Sequence, residues 1–423
     1  MGRGTLAVRS WAALLAALLI AACTDAPTTA PTSTATAVGT AGATPASTDP
    51  ASLPPLETPP PTPNPTQPAV AGDWNAVLDQ KSVANAQFLD VVWTGSRFVA
   101  AGLGLTGGGV LVSSTDGERW RSIPAGGTSG SPEHLAAGPN GVVAVGTIDG
   151  RTAAWVSADG RNWTYRTRIF PKAFGGDDEI RVTDVVAIPT GWLAVGRDDP
   201  FCQLDCVPAP RRALAWTSTD GETWTRLQQP SFPGGGMNAV AAVDGGYVAA
   251  GDAGGRAAFW WSPDGTTWSR VADDPAFGPV AGGASVTVVG VAARGGVIVA
   301  VGMESPGASS GRVRAWQSID GQSWLESSVD VADEGQVFAV AATSTGFLAT
   351  GPSGETSCLG GIWSSADGAS WACEASDPGF AGFGPYAAAG APSVDVVVGL
   401  TNAGWDPEGG LGLPGAIWWR PVT

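Results

Sequence analysis

Ser114-Thr115-Asp116-Gly117-Glu118-Arg119-Trp120 decides the fold, because its pattern, Ser-x-Asp-Gly-x-x-Trp, returns at 157–163, 218–224, 262–268, 318–324 and 365–371. The Asp positions, 116, 159, 220, 264, 320 and 367, lie between 43 and 61 residues apart. Self-similarity at such a period marks stacked supersecondary units, and this spacing is that of a propeller blade with loops of variable length. Asp and Gly between two strands favour a hairpin turn, since the carboxylate accepts a backbone N–H two residues on and Gly takes positive φ without strain. Ser can bond into the same turn and Trp can fold over it. The six Asp residues therefore read as structural.

A second element, Gly-apolar-apolar-Ala-x-Gly or a close variant, occurs at 97–102, 141–146, 191–196, 246–251, 296–302, 346–351 and 394–399. Seven strands of this kind against six Asp phrases leave one repeat incomplete. The last repeat ends at Ile417-Trp418-Trp419-Arg420-Pro421, where its Asp phrase would begin, and Gly72-Asp73-Trp74-Asn75-Ala76-Val77 resembles the missing outer strand. The expected fold is all-β: a seven-bladed β-propeller of four-stranded blades over residues 73–423, with the N-terminal strand completing the last blade. Closing the ring in this way removes the sheet edges that invite aggregation. Trp155, Trp216, Trp260, Trp316 and Trp363 each precede a phrase Ser by two residues, and their expected role is packing between blades.

Ahead of the propeller the composition changes twice. Arg3 and Arg9 precede an apolar run, Trp11 to Ile20, too short for a mature membrane helix. Ile20-Ala21-Ala22-Cys23 then matches a bacterial lipobox, so residues 1–22 read as a lipoprotein signal and Cys23 as the lipidated residue. Residues 23–72 are rich in Pro, Thr and Ala and hold almost no large apolar side chain, the composition of a disordered tether. The expected location is extracytoplasmic, on a bacterial membrane. Removing residues 1–22 takes two Arg and no acid, so the formal charge of −16 becomes −18. That excess argues against nucleic acid and anionic lipid headgroups as partners. Cys202, Cys206, Cys358 and Cys373 remain; an even number in an oxidising compartment points to disulfides, and sequence closeness favours 202 with 206 and 358 with 373.

The repeated phrase resembles the Asp-box, or BNR, repeat family, known from bacterial sialidases, sortilin-type receptors and photosystem II assembly factors. The family phrase is Ser-x-Asp-x-Gly-x-Thr-Trp; here Gly directly follows Asp and one residue fewer precedes Trp, uniformly over six copies. The resemblance implies boxes on the outer edge of each blade, away from the central site, with structural Asp side chains.

Function is then expected on the opposite face, built from the loops between second and third strands and between blades, which can vary without disturbing the ring. Acids are numerous there, among them Asp177, Asp178, Asp198, Asp199, Asp252, Asp273, Asp274, Glu304 and Asp406. They read as a solvated rim, with a Ca²⁺ or cationic-ligand site as the alternative; no EF-hand spacing is present and no cofactor is expected. Pro followed closely by Phe recurs in four interblade loops, at Pro171/Phe174, Pro230/Phe232, Pro275/Phe277 and Pro378/Phe380, and reads as a plug between blades. Aromatics that break the repeat are better ligand candidates: Trp405, Phe201 beside Cys202, and Tyr386 at the end of the 377–386 interblade loop.

Catalysis has little support. Sialidases of this resemblance have six blades, an arginine triad and a Tyr–Glu nucleophile pair; Tyr165, Tyr247 and Tyr386 are the only tyrosines here, and two of them lie in repeated elements. The single histidine, His134, excludes multi-histidine metal sites, and no phosphate-binding Gly-Lys-Ser/Thr phrase occurs. The expectation is a monomeric lipid-anchored module that binds a protein, peptide or glycan. The alternatives are a glycoside hydrolase using two carboxylates of the loop face, and an assembly factor for a membrane complex.

Overall fold

The computed structural model describes residues 71–124, 130–149, 151–167, 179–199, 211–227, 232–279, 284–305, 311–330, 335–352, 358, 361–374, 383–401 and 415–423. They form seven antiparallel blades, and in six of them the four repeat strands run in sequence order from one edge to the other. Blade one is Ala86–Trp93, Phe98–Gly104, Gly109–Ser114 and Arg121–Ile123. First strands of the following blades are Gly130–Gly138, Glu179–Ile188, Gly235–Val243, Ser285–Arg294, Ala339–Thr343 and Phe383–Gly390. Two blades gain a short extra strand: Phe232–Pro233 pairs with Arg212 and Ala213 in blade three, and Ser328–Val329 runs parallel to Ser370 and Trp371 on the outer edge of blade six.

The seventh blade takes its outer strand from the other end of the chain. Asn75–Val77 pairs with Gly415–Pro421 in the register Asn75 to Trp419, Ala76 to Trp418 and Val77 to Ile417. The pairing extends through Gly72 N–H to Pro421 O at 2.8 Å and a bridge from Ala71 to Val422. A one-turn helix, Lys81–Ala84, leads from this strand into blade one.

Packing explains the repeat. Seven apolar clusters fill the seven seams between neighbouring blades. One joins Phe88, Phe98, Val112 and Trp120 of blade one to Val396, Val398 and Ile417 of blade seven. Trp155, Trp216, Trp260, Trp316, Trp363 and Trp418, all third-strand residues, are fully buried within them. An aromatic side chain of this size removes about 150–250 Å² from water. Where the interblade Pro-Phe pair is described, Pro275–Phe277 forms a turn of 3-10 helix capped by Asp274, and Phe277 packs on Phe259 at 5.1 Å between centroids. That pair does plug its seam.

The Gly that ends each second-strand element has its own cause. First strands carry one extra residue opposite this Gly, as at Leu89, Glu133, Thr183, Asn238, Val289 and Tyr386. The bulge presses a carbonyl onto the second strand. A Cβ on Gly102, Gly146, Gly196, Gly251, Gly302, Gly351 or Gly399 would lie 1.9–2.3 Å from the carbonyl oxygen opposite. Only glycine admits that approach.

Candidate functional site

Register fixes the two ends of each blade. Phe98 pairs with Ser114, so the hairpin joining the first two strands shares one end with the Asp phrase; Leu103 pairs with Gly109, so the bulge lies toward the other end, with the loops that vary.

At the phrase end the Ser, Asp and Gly of each turn bond to one another. Ser Oγ accepts the Gly N–H at 2.8–2.9 Å in all six copies. Asp Oδ1 accepts the next two N–H groups, as in Asp264 with Thr266 and Thr267 at 2.7 Å each. The turn Gly has φ of +71° to +80°, and in five copies the Trp Nε1 donates to its carbonyl. Backbone N–H bonds, from Asn162 foremost at Asp159 and from Thr267 foremost at Asp264, hold both carboxyls at about 2. Each turn also leans on the preceding blade, as Gly321 does on Val248 and Trp261.

The seventh blade has no such turn. Arg420 stands where the phrase Ser stands elsewhere, and its Nε donates to Asp395 Oδ2 at 3.0 Å across the ladder. Its Nη1 reaches both oxygens of Glu374 in blade six at 3.0 Å, and its guanidinium covers Trp74 at 4.5 Å. Trp74 Nε1 donates to Glu374 at 2.8 Å. Burial drives the Asp395 carboxyl above its ordinary range, Arg420 opposing.

Midway along their length, the first strands of neighbouring blades pack against one another. Asp90 of blade one accepts Leu135 N–H of blade two at 2.6 Å. Asp184 of blade three accepts Val240 N–H of blade four at 2.8 Å. Thr183 donates to Met237 O and Asn238 to Val288 O. Asp90, His134 and Asp184 are the residues just past the bulge in blades one to three; the same place holds Ala239, Gly290, Ala339 and Ala387 in the others. Burial raises Asp90 and Asp184 to about 7, with Asp184's charge adding to the effect on Asp90. It lowers His134 to about 4 and pushes Glu133 up. Near neutral pH this arc therefore presents partly protonated carboxyls and a neutral imidazole. Each Asp also accepts the N–H of the next residue at 2.7 Å, so both join blades before they can do anything else.

The arc from blades six and seven is aromatic. Phe338 and Tyr386 occupy the bulge places of these blades and stack at 4.8 Å between centroids, 21° from parallel. Burial raises the Tyr386 phenol above its usual value.

Several loop-face expectations change here. Tyr386 lies in a strand, not a loop, because Phe383-Gly384-Pro385 pairs with Thr401, Leu400 and Gly399. Asp198 and Asp199 belong to blade three's second strand, Asp199 opposite Glu179 and Asp198 accepting Arg212 N–H. Glu304 is a buried partner of Arg314 at 2.7 Å, Asp273 binds Arg270 at 2.6 Å, and Asp274 caps a helix. Among the described acids, Asp198, Asp199, Asp252 and Glu304 are thus strand residues and Asp274 a cap. Trp405, Phe201, Asp177, Asp178, Asp406, Cys202, Cys206 and Cys23 lie outside the described residues. Among those described, no group of three or more His, Cys, Asp or Glu could hold a metal ion. Cys358 and Cys373 are joined, with Cα atoms 5.5 Å apart.

Phe338, Asp90 and Asp184 were not singled out by sequence, and His134 only as the single histidine. Aligning first strands on the Gly that faces the bulge would have shown Asp90, His134 and Asp184, because they break a column otherwise small.

These features define a seven-bladed β-propeller whose non-repeating side chains include several midway along its first strands. No family model matches the chain. No curated protein matches it either. Solved structures of similar fold include YCF48 bound to D1 peptide, with TM-score 0.49 and 15% identity over 85% of this chain and 100% of that one. The WD40 β-propeller domain of Doa1 gives 0.46 and 12% over 80% and 94%. A mutant of Trypanosoma rangeli sialidase displaying trans-sialidase activity gives 0.41 and 12% over 84% and 60%. None reaches 0.5, so no residue role is taken from them.

Proposed function

We propose that this protein is an Asp-box propeller acting as a binding module, lipid-anchored outside the cytoplasm, that takes a protein, peptide or glycan over the channel mouth. The observation that carries the reading is the set of first-strand side chains that break the repeat, Phe338 stacked on Tyr386 in blades six and seven and Asp90, Glu133, His134 and Asp184 in blades one to three. Aromatic faces suit sugars and cationic side chains, and carboxyls suit cationic groups.

Anchoring is supported by Cys23 in its lipobox and by the long Pro- and Thr-rich segment after it. Binding is tested by screening the mature chain against a mixed glycan and peptide panel, then repeating any hit with Tyr386→Ala and Phe338→Ala. At least tenfold weakening is expected for either. Unchanged affinity in both, or equal weakening by the exposed phrase-end control Ile319→Ala, sinks the assignment. Turnover of a panel member that disappears in a double carboxylate variant would instead establish hydrolysis. Labelling with a fatty-acid analogue checks the anchor, which Cys23→Ala should abolish.

A further inference from the structure

We propose that the Cys358–Cys373 disulfide is a redox control on the seam that closes the ring. Among the described residues, the seam between blades six and seven has the smallest cluster of buried apolar side chains, Leu348, Ile362, Ala388, Val397, Ala416 and Trp418. It is also the seam next to the strand borrowed from the N-terminus, which no turn connects to its neighbour.

Polar contacts supplement that packing, and they converge on Glu374. This residue of blade six holds both closing elements at once: Trp74 from the N-terminal side at 2.8 Å and Arg420 from the C-terminal side at 3.0 Å. Glu374 follows Cys373 directly. Its own N–H donates to Ile362 O at 2.9 Å, and Cys358 Sγ lies 3.0 Å from that same carbonyl. Cys358 O in turn accepts Gly361 N–H at 2.9 Å, and Gly361 O accepts Gly351 N–H at 2.8 Å, which ties Cys358 to the end of blade six's second strand. The covalent bond therefore fixes the base from which Glu374 reaches across the seam.

A dithiol reductant would supply two electrons and two protons. The Cys358–Cys373 S–S bond breaks, two thiols form, and the dithiol becomes a disulfide. The ladder still pairs Cys373 with Trp363, and Glu374 N–H still bonds Ile362 O, but the covalent tie from Cys373 to Cys358 is gone and the charged contacts of Glu374 lose that support. The first segment to open is Ala71–Val77, exposing the edge of Gly415–Pro421.

Hydrogen exchange on the mature chain tests this, using Cys202→Ser/Cys206→Ser so that only one pair is reduced. Treatment with a small dithiol should raise exchange in Asn75–Val77 at least tenfold and leave Leu193–Val195 of blade three within about twofold. Equal exchange before and after reduction, or a uniform rise in both segments, overturns the proposal. Should that variant not fold, Glu374→Gln in the oxidised native chain gives the second reading. It should raise exchange in Asn75–Val77 with the disulfide intact; no change there overturns the link through Glu374.

Discussion

Gly399→Ala separates the geometric role of the second-strand glycine from its conformational freedom. An alanine Cβ at 399 would stand 2.1 Å from Gly384 O and 3.0 Å from both Gly384 C and Pro385 Cα, all backbone atoms. Ordinary contact begins near 3.4 Å, so one strand must move by more than 1 Å, and no rotamer change relieves it. Overpacking of this kind costs about 1–3 kcal/mol. Displacing the bulge also strains the ladder from Gly384–Leu400 to Ala387–Val398, and each lost bond adds about 1 kcal/mol. The expected loss is about 3–4 kcal/mol.

The control is Gly95→Ala. Gly95 has φ +87° with nothing within 4 Å of the added atom, so its penalty is that of a left-handed residue, roughly 1–2 kcal/mol. Both substitutions lower the entropy of the unfolded chain alike, and that term drops out of the comparison. Urea unfolding followed by tryptophan fluorescence should place Gly399→Ala about 2 kcal/mol below Gly95→Ala. The bulge residue opposite is Tyr386, so ligand binding should also weaken in Gly399→Ala and not in Gly95→Ala. If the two variants agree within about 0.5 kcal/mol, the bulge does not demand glycine and the account of the repeat fails.

Three further outcomes follow from the same contacts. Ser262→Ala leaves the Gly265 N–H without its acceptor in a buried turn and should cost about 1–2 kcal/mol in the same unfolding assay. Asp90 is held at about 7 against an ordinary value of 3.8, so its folded form binds the proton more tightly. Its contribution is full below about pH 4 and fades as pH rises through about 7, so stability should increase from pH 7 to pH 5 and increase less in Asp90→Asn. Arg420→Ala strands Asp395 and Glu374 at the closing seam, a loss of about 3–5 kcal/mol visible as a lowered thermal midpoint.

The blade count, the closing strand and the buried tryptophans were legible because each repeats, and repetition converts a weak local signal into a period. The Gly of the second strand was legible as a marker but not as a constraint, since a bulge is a relation between two strands and only one of them carries the motif. Tyr386, picked out because it breaks the repeat, was misplaced in a loop because Gly384 and Pro385 beside it read as turn residues. Pro385 is tolerated in that strand at the bulge, next to the unpaired place of Tyr386. Asp90 and Asp184 were invisible while the first strands remained unaligned. Glu304 and Asp198 misled for the opposite reason: charge suggested solvent, and the fold buried both.

The seventh blade shows why the missing Asp phrase is a structural necessity. The phrase is a turn, and a turn requires its two strands to be continuous in sequence; at the closure they come from opposite ends of the chain. The Ser position is free to change there, and Arg420 occupies it. A serine hydroxyl reaches only its own turn, whereas a guanidinium reaches Asp395 across the ladder, Glu374 across the seam and the face of Trp74 on the incoming strand. Trp74 itself keeps the place of the phrase Trp but turns its Nε1 to Glu374 instead of a glycine carbonyl. Contacts that are local in six blades thus become contacts between blades in the seventh. The closure exchanges a covalently continuous turn for charged bonds that a single carboxylate from blade six completes, which is why Glu374, and the disulfide beside it, is the point at which the ring can be opened.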